Sequence, residues 1–199
     1  AYEMCGRDWS SDVCSSDLVA YRSAANVQLA ELALHEGRYG EAARYARLAL
    51  AHDRASPGAW RALAVAGRLS SERRTVAAAR DGLRAADPLG QWALAETVLG
   101  SRGGEQAGER LLSLLRSEYP EQTLLELALG YVRLGRSGDA VALLSLPLEG
   151  GMGAVARAWR AYLLDDEALL SGEVEVAFAF PFRTETVHVL EWAAERSEE

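Results

Sequence analysis

Apolar residues recur along most of this chain at steps of three and four, and glycines or short polar stretches interrupt them. That pattern predicts a series of helices joined by tight turns. Leu29, Leu32 and Ala33 mark the apolar stripe of a first helix over residues 19–36, and Gly37 ends it, because a glycine just past the last turn takes the left-handed conformation without steric cost. A return helix over 40–52 is expected to bury Ala42, Tyr45, Ala46 and Ala49. So short a connection makes the two an antiparallel pair.

The pattern then repeats. Pro57 stands 34 residues after Ser23 and opens a helix carrying Trp60, Leu63 and Ala64. Its partner, over 72–85, has Val76 and Leu83 where small residues are expected, which predicts a wider pair, and Asp87 with Pro88 closes the unit. A shorter third pair follows, over 89–99 with Trp92 and then to 118, with Leu111, Leu112, Leu114 and Leu115 pointing inward. In the fourth, residues 121–134 carry Leu124, Leu127, Ala128 and Tyr131; Gly135 turns the chain, and Ala140, Leu143 and Leu144 pack the return helix before Pro147. After the break EGGMG, a helix over 154–164 carries Trp159 and Tyr162, and Asp165 or Asp166 caps a short helix over 167–170. Val174, Val176, Phe178, Phe180 and Phe182 alternate as in an extended segment over 172–182, and a last helix runs over 184–195 with Val187, Leu190 and Trp192 awaiting a neighbour.

The spacing of Trp60, Leu63 and Ala64, of Leu124, Leu127, Ala128 and Tyr131, and of the small residues Ala42 and Ala49 resembles the tetratricopeptide (TPR) repeat. The expected fold is all-α, a right-handed superhelix of antiparallel pairs, with units over 19–56, 57–88, 89–120, 121–147 and 152–195. AELALHEGRYGEAARYARLAL, EYPEQTLLELALGYVRLG and FPFRTETVHVLEWA resemble the C-terminal repeats of large bacterial proteins that carry a β-rich, carbohydrate-associated domain of unknown function. The resemblance implies a helical repeat region attached to another domain, and it implies no catalytic residue. Residues 8–18, DWSSDVCSSDL, resemble the translation of a sequencing-adapter oligonucleotide, and 196–199 the start of its partner. On that resemblance residues 1–18 are a non-native, disordered leader, and 19–195 is a fragment of a longer protein.

Charge and composition narrow the function further. With 21 basic and 29 acidic residues the chain carries a net charge of -8, without the basic stripe that nucleic acid or an anionic membrane requires. Removing the two adapter-like ends halves that charge. Cys5 and Cys14 both lie in the leader, so the remainder has neither a disulfide framework nor a cysteine metal site. The compartment is then unreadable from redox chemistry, with cytoplasmic as the default.

No catalytic, cofactor-binding or metal site is expected. His35, His52 and His188 lie on separate helices without a paired ligand, and Asp165, Asp166 and Glu167 stand at a helix start, where capping accounts for them. The glycines of SRGG, Gly103 and Gly104, and those of EGGMG, Gly150, Gly151 and Gly153, follow no strand and precede no Lys-Ser, so they are loops and not phosphate cradles. Trp60, Trp92 and Trp159 read as core residues rather than sugar-stacking platforms.

First helices of such repeats line a concave groove. Here those positions are Val27, Glu31 and Leu34, then Arg61, Val65 and Arg68, then Leu125, Leu129 and Val132, with Ala24, Gly58 and Gln122 at their ends. The expected function is a non-catalytic scaffold binding a protein or peptide segment there, with Arg61 and Arg68 offering positive charge beside an apolar strip. The alternative is a structural appendage docking in cis on the β-rich domain of the same full-length chain.

Overall fold

The computed structural model describes residues 11–87, 90–100, 104–115, 120–147, 153–170 and 183–197. Every element among them is helical: α1 (Ser11–His35), α2 (Tyr39–His52), α3 (Pro57–Leu69), α4 (Arg73–Ala86), α5 (Gln91–Val98), α6 (Gly104–Leu114), α7 (Pro120–Arg133), α8 (Ser137–Leu144), α9 (Ala154–Leu164), a 3-10 turn (Glu167–Leu170) and α10 (Thr184–Ser197). The extended segment expected over 172–182 lies outside the described residues. α1 starts earlier than its periodicity predicts, so residues 11–18 of the expected disordered leader are helical. Once packing has nucleated a helix, each further residue adds one backbone hydrogen bond, which lets a polar stretch prolong it. The chain divides into two compact units, Ala1–Ala93 and Leu94–Glu199.

In the first unit α1 packs on α2, α2 on α3 and α3 on α4, and α1 also meets α3. The turn between α1 and α2 follows from Gly37. With φ at +75° it lets Arg38 N donate to Ala33 O at 2.8 Å and Gly37 N to Leu34 O at 3.0 Å, which satisfies two carbonyls that the helix end leaves open. The same bonds recur 34 residues later: Glu72 N donates to Gly67 O at 2.8 Å and Ser71 N to Arg68 O at 3.2 Å. There the left-handed position is held by Ser71, at φ +61°. A serine in that region carries strain that glycine does not. Ser71→Gly is therefore expected to stabilise the protein by about 0.5–1 kcal/mol, read as a higher urea midpoint; a lower midpoint would contradict this account of the turn.

Alanine makes the core of this unit. Ala30 and Ala33 of α1, and Ala42, Ala46 and Ala49 of α2, have no exposure in this packed pair of helices, and Ser23 Oγ donates to Ala49 O at 3.2 Å. Leu29 and Leu32, expected on the buried stripe, are 42% and 51% exposed. The buried side of α1 runs through Ser23, Ala30, Ala33 and Leu34 instead, because small residues let α2 approach closely and larger ones would hold it off. The expected widening between α3 and α4 is countered by glycine. A Cβ on Gly82 would lie 2.3 Å from the Trp60 ring, and one on Gly67 2.9 Å from Thr75.

In the second unit α7 pairs with α8, α8 meets α9, and α9 meets α10. Gly135, at φ +69°, repeats the turn of Gly37, with Arg136 N donating to Tyr131 O at 2.9 Å. Asp165 ends α9 the same way at φ +51°, with Asp166 N donating to Ala161 O at 3.0 Å. The start of α9 is closed from α7, where Glu121 Oε1 accepts from Ala156 N at 3.3 Å and fills the space that a side chain at Gly153 would need. Of the four leucines expected inward on α6 and just after it, Leu111 and Leu115 are buried, Leu112 is half-buried and Leu114 is 46% exposed. Four such positions spread around most of a helix, and the i, i+4 pair takes the core. Trp192 meets Tyr162 edge to face at 5.3 Å and carries Arg196 over its ring at 4.8 Å, so a neighbour from within this chain partly covers it.

Candidate functional site

The first-helix face is built where α1 and α3 lie side by side. Ser56 Oγ accepts from Ala59 N at 3.4 Å, and Pro57 supplies the preset backbone angle of a first helical residue, so α3 starts at a fixed place beside α1. At the second residue of α3, Gly58 lets Val27 approach, since a Cβ there would lie 3.0 Å from Val27 Cγ1. One turn further Arg61 Nη2 donates to Glu31 Oε1 at 2.7 Å. Both side chains are partly covered, 30% and 23% exposed, which reduces the solvent screening that weakens open surface pairs. The guanidinium carbon also sits 4.7 Å from the centre of the Trp92 ring, in the range of a cation–π contact.

Beneath Arg61 is an open pocket of about 260 Å³, lined by Pro57, Arg61, Leu83, Ala86, Asp87 and Trp92. It offers an apolar floor, one aromatic ring and two charged groups. Arg61 Nε is buried there without a hydrogen-bond partner. Asp87 is half-buried and already engaged within the protein.

Several of the expected groove residues are not available to a ligand. Leu34 and Val65 are 1% and 0% exposed, and Leu125 and Leu129 are 4% and 6%. Their side chains face the packed interior and not the open face. Val27, Glu31, Arg61, Arg68 and Val132 are half-buried, with Gly58 and Gln122, while Ala24 is exposed. Of the apolar strip expected beside the arginines, Val65 and Leu34 are buried and only Val27 is partly open, and Arg61 and Arg68 are both engaged within the protein. Sequence reasoning missed Trp92 and Asp87 as neighbours of Arg61, since no local spacing links α3 to α5 or to the end of α4.

In the second unit Arg183 grips Glu126 of α7 through two hydrogen bonds, Nε to Oε1 at 3.0 Å and Nη2 to Oε2. The Glu126 carboxylate holds the Arg183 guanidinium above its usual range, against a smaller opposing effect of burial. The Tyr131 hydroxyl donates to Glu96 Oε1 at 2.8 Å, both residues having no exposure. The first pair ties α7 to the residue before α10 and stays partly open, its side chains 26% and 36% exposed; the second ties α7 to α5 and is closed to solvent.

The remaining candidates resolve locally. Asp166 Oδ1 accepts from Ala168 N at 3.2 Å and caps the 3-10 turn, while Glu167 pairs with Arg196 at 2.8 Å. Trp159 is 4% exposed and donates from Nε1 to Thr186 Oγ1 at 3.3 Å; Trp60 packs on Gly82 and donates to Arg54 O at 2.8 Å. His35, His52 and His188 stand on α1, α2 and α10. Among the described residues no group of three or more His, Cys, Asp or Glu is placed to hold a metal ion, and no helix is long and apolar enough to cross a membrane. No family model, curated protein or solved structure matches the chain.

Proposed function

We propose that this chain is a non-catalytic, TPR-like interaction scaffold, a part of a larger bacterial protein, that takes a protein or peptide segment on the face shared by α1 and α3. The observation that carries the reading is the side-by-side placement of successive first helices, with Val27 against Gly58 and Glu31 against Arg61. A repeat protein binds along such a face because stacking makes it continuous. The chemistry on offer is a guanidinium held over an indole at the mouth of an apolar pocket, which suits an acidic residue flanked by an apolar one.

A second reading has its own support. Arg61 and Arg68 are engaged internally, and Leu34 and Val65 beside them are buried. A face whose charges are already matched fits a structural appendage that docks in cis on a β-rich, carbohydrate-active domain.

The two separate by titration. A fluorescent amphipathic peptide with acidic residues on one side is the probe, and anisotropy the readout. On the scaffold reading Arg61→Ala weakens binding about tenfold, some 1.4 kcal/mol, and Glu31→Gln strengthens it by removing the internal competitor for the guanidinium. Affinity unchanged in both variants, with the helical spectrum intact, would remove this face from the account and leave the appendage.

A further inference from the structure

The outward side of α1 carries an apolar stripe that the first unit does not cover. Leu18, Tyr21, Leu29 and Leu32 are 53%, 74%, 42% and 51% exposed, and Ala25 is exposed among them. The steps between them are three and four residues, so they run along one side of the helix, roughly opposite Ser23, Ala30 and Leu34, which face α2 and α3.

The repeat shows what this side is built to meet. Thirty-four residues on, Ala25, Leu29 and Leu32 correspond to Ala59, Leu63 and Ala66 of α3, which are 0%, 5% and 0% exposed in a helix that packs on α2. The equivalent side of α3 is thus covered, in a helix that packs on α1, α2 and α4. The side of α1 has the same register and larger apolar groups.

The order of the residues says which helix fits. The stripe is symmetric about Ala25: Tyr21 and Leu29 stand four residues to either side, and Leu18 and Leu32 seven. A two-fold interface requires that if residue i meets residue j, then j meets i. Two copies of α1 crossing antiparallel at Ala25 satisfy that condition, with Tyr21 against Leu29 and Leu18 against Leu32 of the second copy. The small alanine at the centre lets the backbones approach, and the larger residues fill both ends. The inner pair lies wholly after the leader-like stretch, and the outer pair uses that stretch's last residue.

We infer that this chain forms a two-fold dimer through antiparallel pairing of α1 with α1 of a second copy, centred on Ala25. The partner surface is distinct from the α1–α3 face, so the dimer would present that face twice and gain by avidity on a repetitive ligand.

Sedimentation equilibrium of the whole chain and of the double variant Leu29→Glu with Leu32→Glu tests the dimer. Both positions are exposed, so the variant keeps its fold, as far-ultraviolet circular dichroism would check. The expected result is a dimer for the parent at micromolar concentration and a monomer for the variant. Crosslinking tests the orientation in a Cys5→Ser, Cys14→Ser background. Ala25→Cys should form a disulfide between copies on mild oxidation, whereas Leu32→Cys should do so only when Leu18→Cys is also present. A monomeric parent, a dimer indifferent to the two glutamates, or crosslinking by Leu32→Cys alone would each overturn the proposal.

Discussion

Gly82→Ala is expected to destabilise the protein by about 2 kcal/mol, although the exchange improves helix propensity by about 1 kcal/mol. The added methyl would stand 2.3 Å from Cδ2 of Trp60 and nearly as close to two more ring atoms, against an ordinary carbon contact of about 3.5–4 Å. The ring is not free to swing away, because its Nε1 donates to Arg54 O at 2.8 Å. Overpacking therefore outweighs propensity. Urea unfolding would measure the loss, with Gly40→Ala as the control: nothing lies within 4 Å of a Cβ at Gly40, so there the propensity gain stands alone. Trp60→Leu in the Gly82→Ala background should recover part of the loss. Equal stability of Gly82→Ala and Gly40→Ala would mean that α3 and α4 do not meet at this ring.

Tyr131→Phe carries the second large effect, about 1.5–3 kcal/mol of lost stability. Phenylalanine keeps the ring and its packing, so the change removes only the hydroxyl that donates to Glu96 Oε1 at 2.8 Å. Neither side chain has any exposure, and water cannot replace the missing donor without opening the core. A double-mutant cycle with Glu96→Met, which removes the accepting oxygens and keeps the side chain's length, isolates the pair from the rest of the environment. A coupling under about 0.5 kcal/mol would show that the hydroxyl and the carboxyl do not depend on each other.

The helices were legible where backbone chemistry is local. Gly37 and Gly135 announce their turns because the left-handed position favours glycine, and both turns carry the expected bonds. Ser71 makes the same turn without that signal; only its distance from Gly37 gives it away. The faces were less legible. Periodicity groups Leu29 with Ala33 but does not fix how a helix rotates about its own axis, and in α1 the alanines face the core while the leucines face out. The same rotation hides Leu34 and Val65, which repeat register assigns to the groove. Arg61 was identified by position, and its neutralisation by Glu31 and its seat on Trp92 were not, since those contacts join residues far apart in sequence. Small residues were the other gap. Gly67 and Gly82 set how α3 meets α4, yet a helical glycine in a sequence shows only a propensity penalty until its neighbour is known.

The central claim is that successive first helices lie side by side and so create the face proposed for binding. Disulfide formation between Val27→Cys and Gly58→Cys, in the Cys5→Ser, Cys14→Ser background, tests it most directly. A Cβ at position 58 would lie 3.0 Å from Val27 Cγ1, which places the two Cβ atoms within bridging range of about 3.5–4.5 Å. The account predicts near-complete intramolecular oxidation, with the helical spectrum retained and no crosslink when Val27→Cys is paired instead with a cysteine at Arg73, on α4. Free thiols at 27 and 58 under the same oxidation would contradict it.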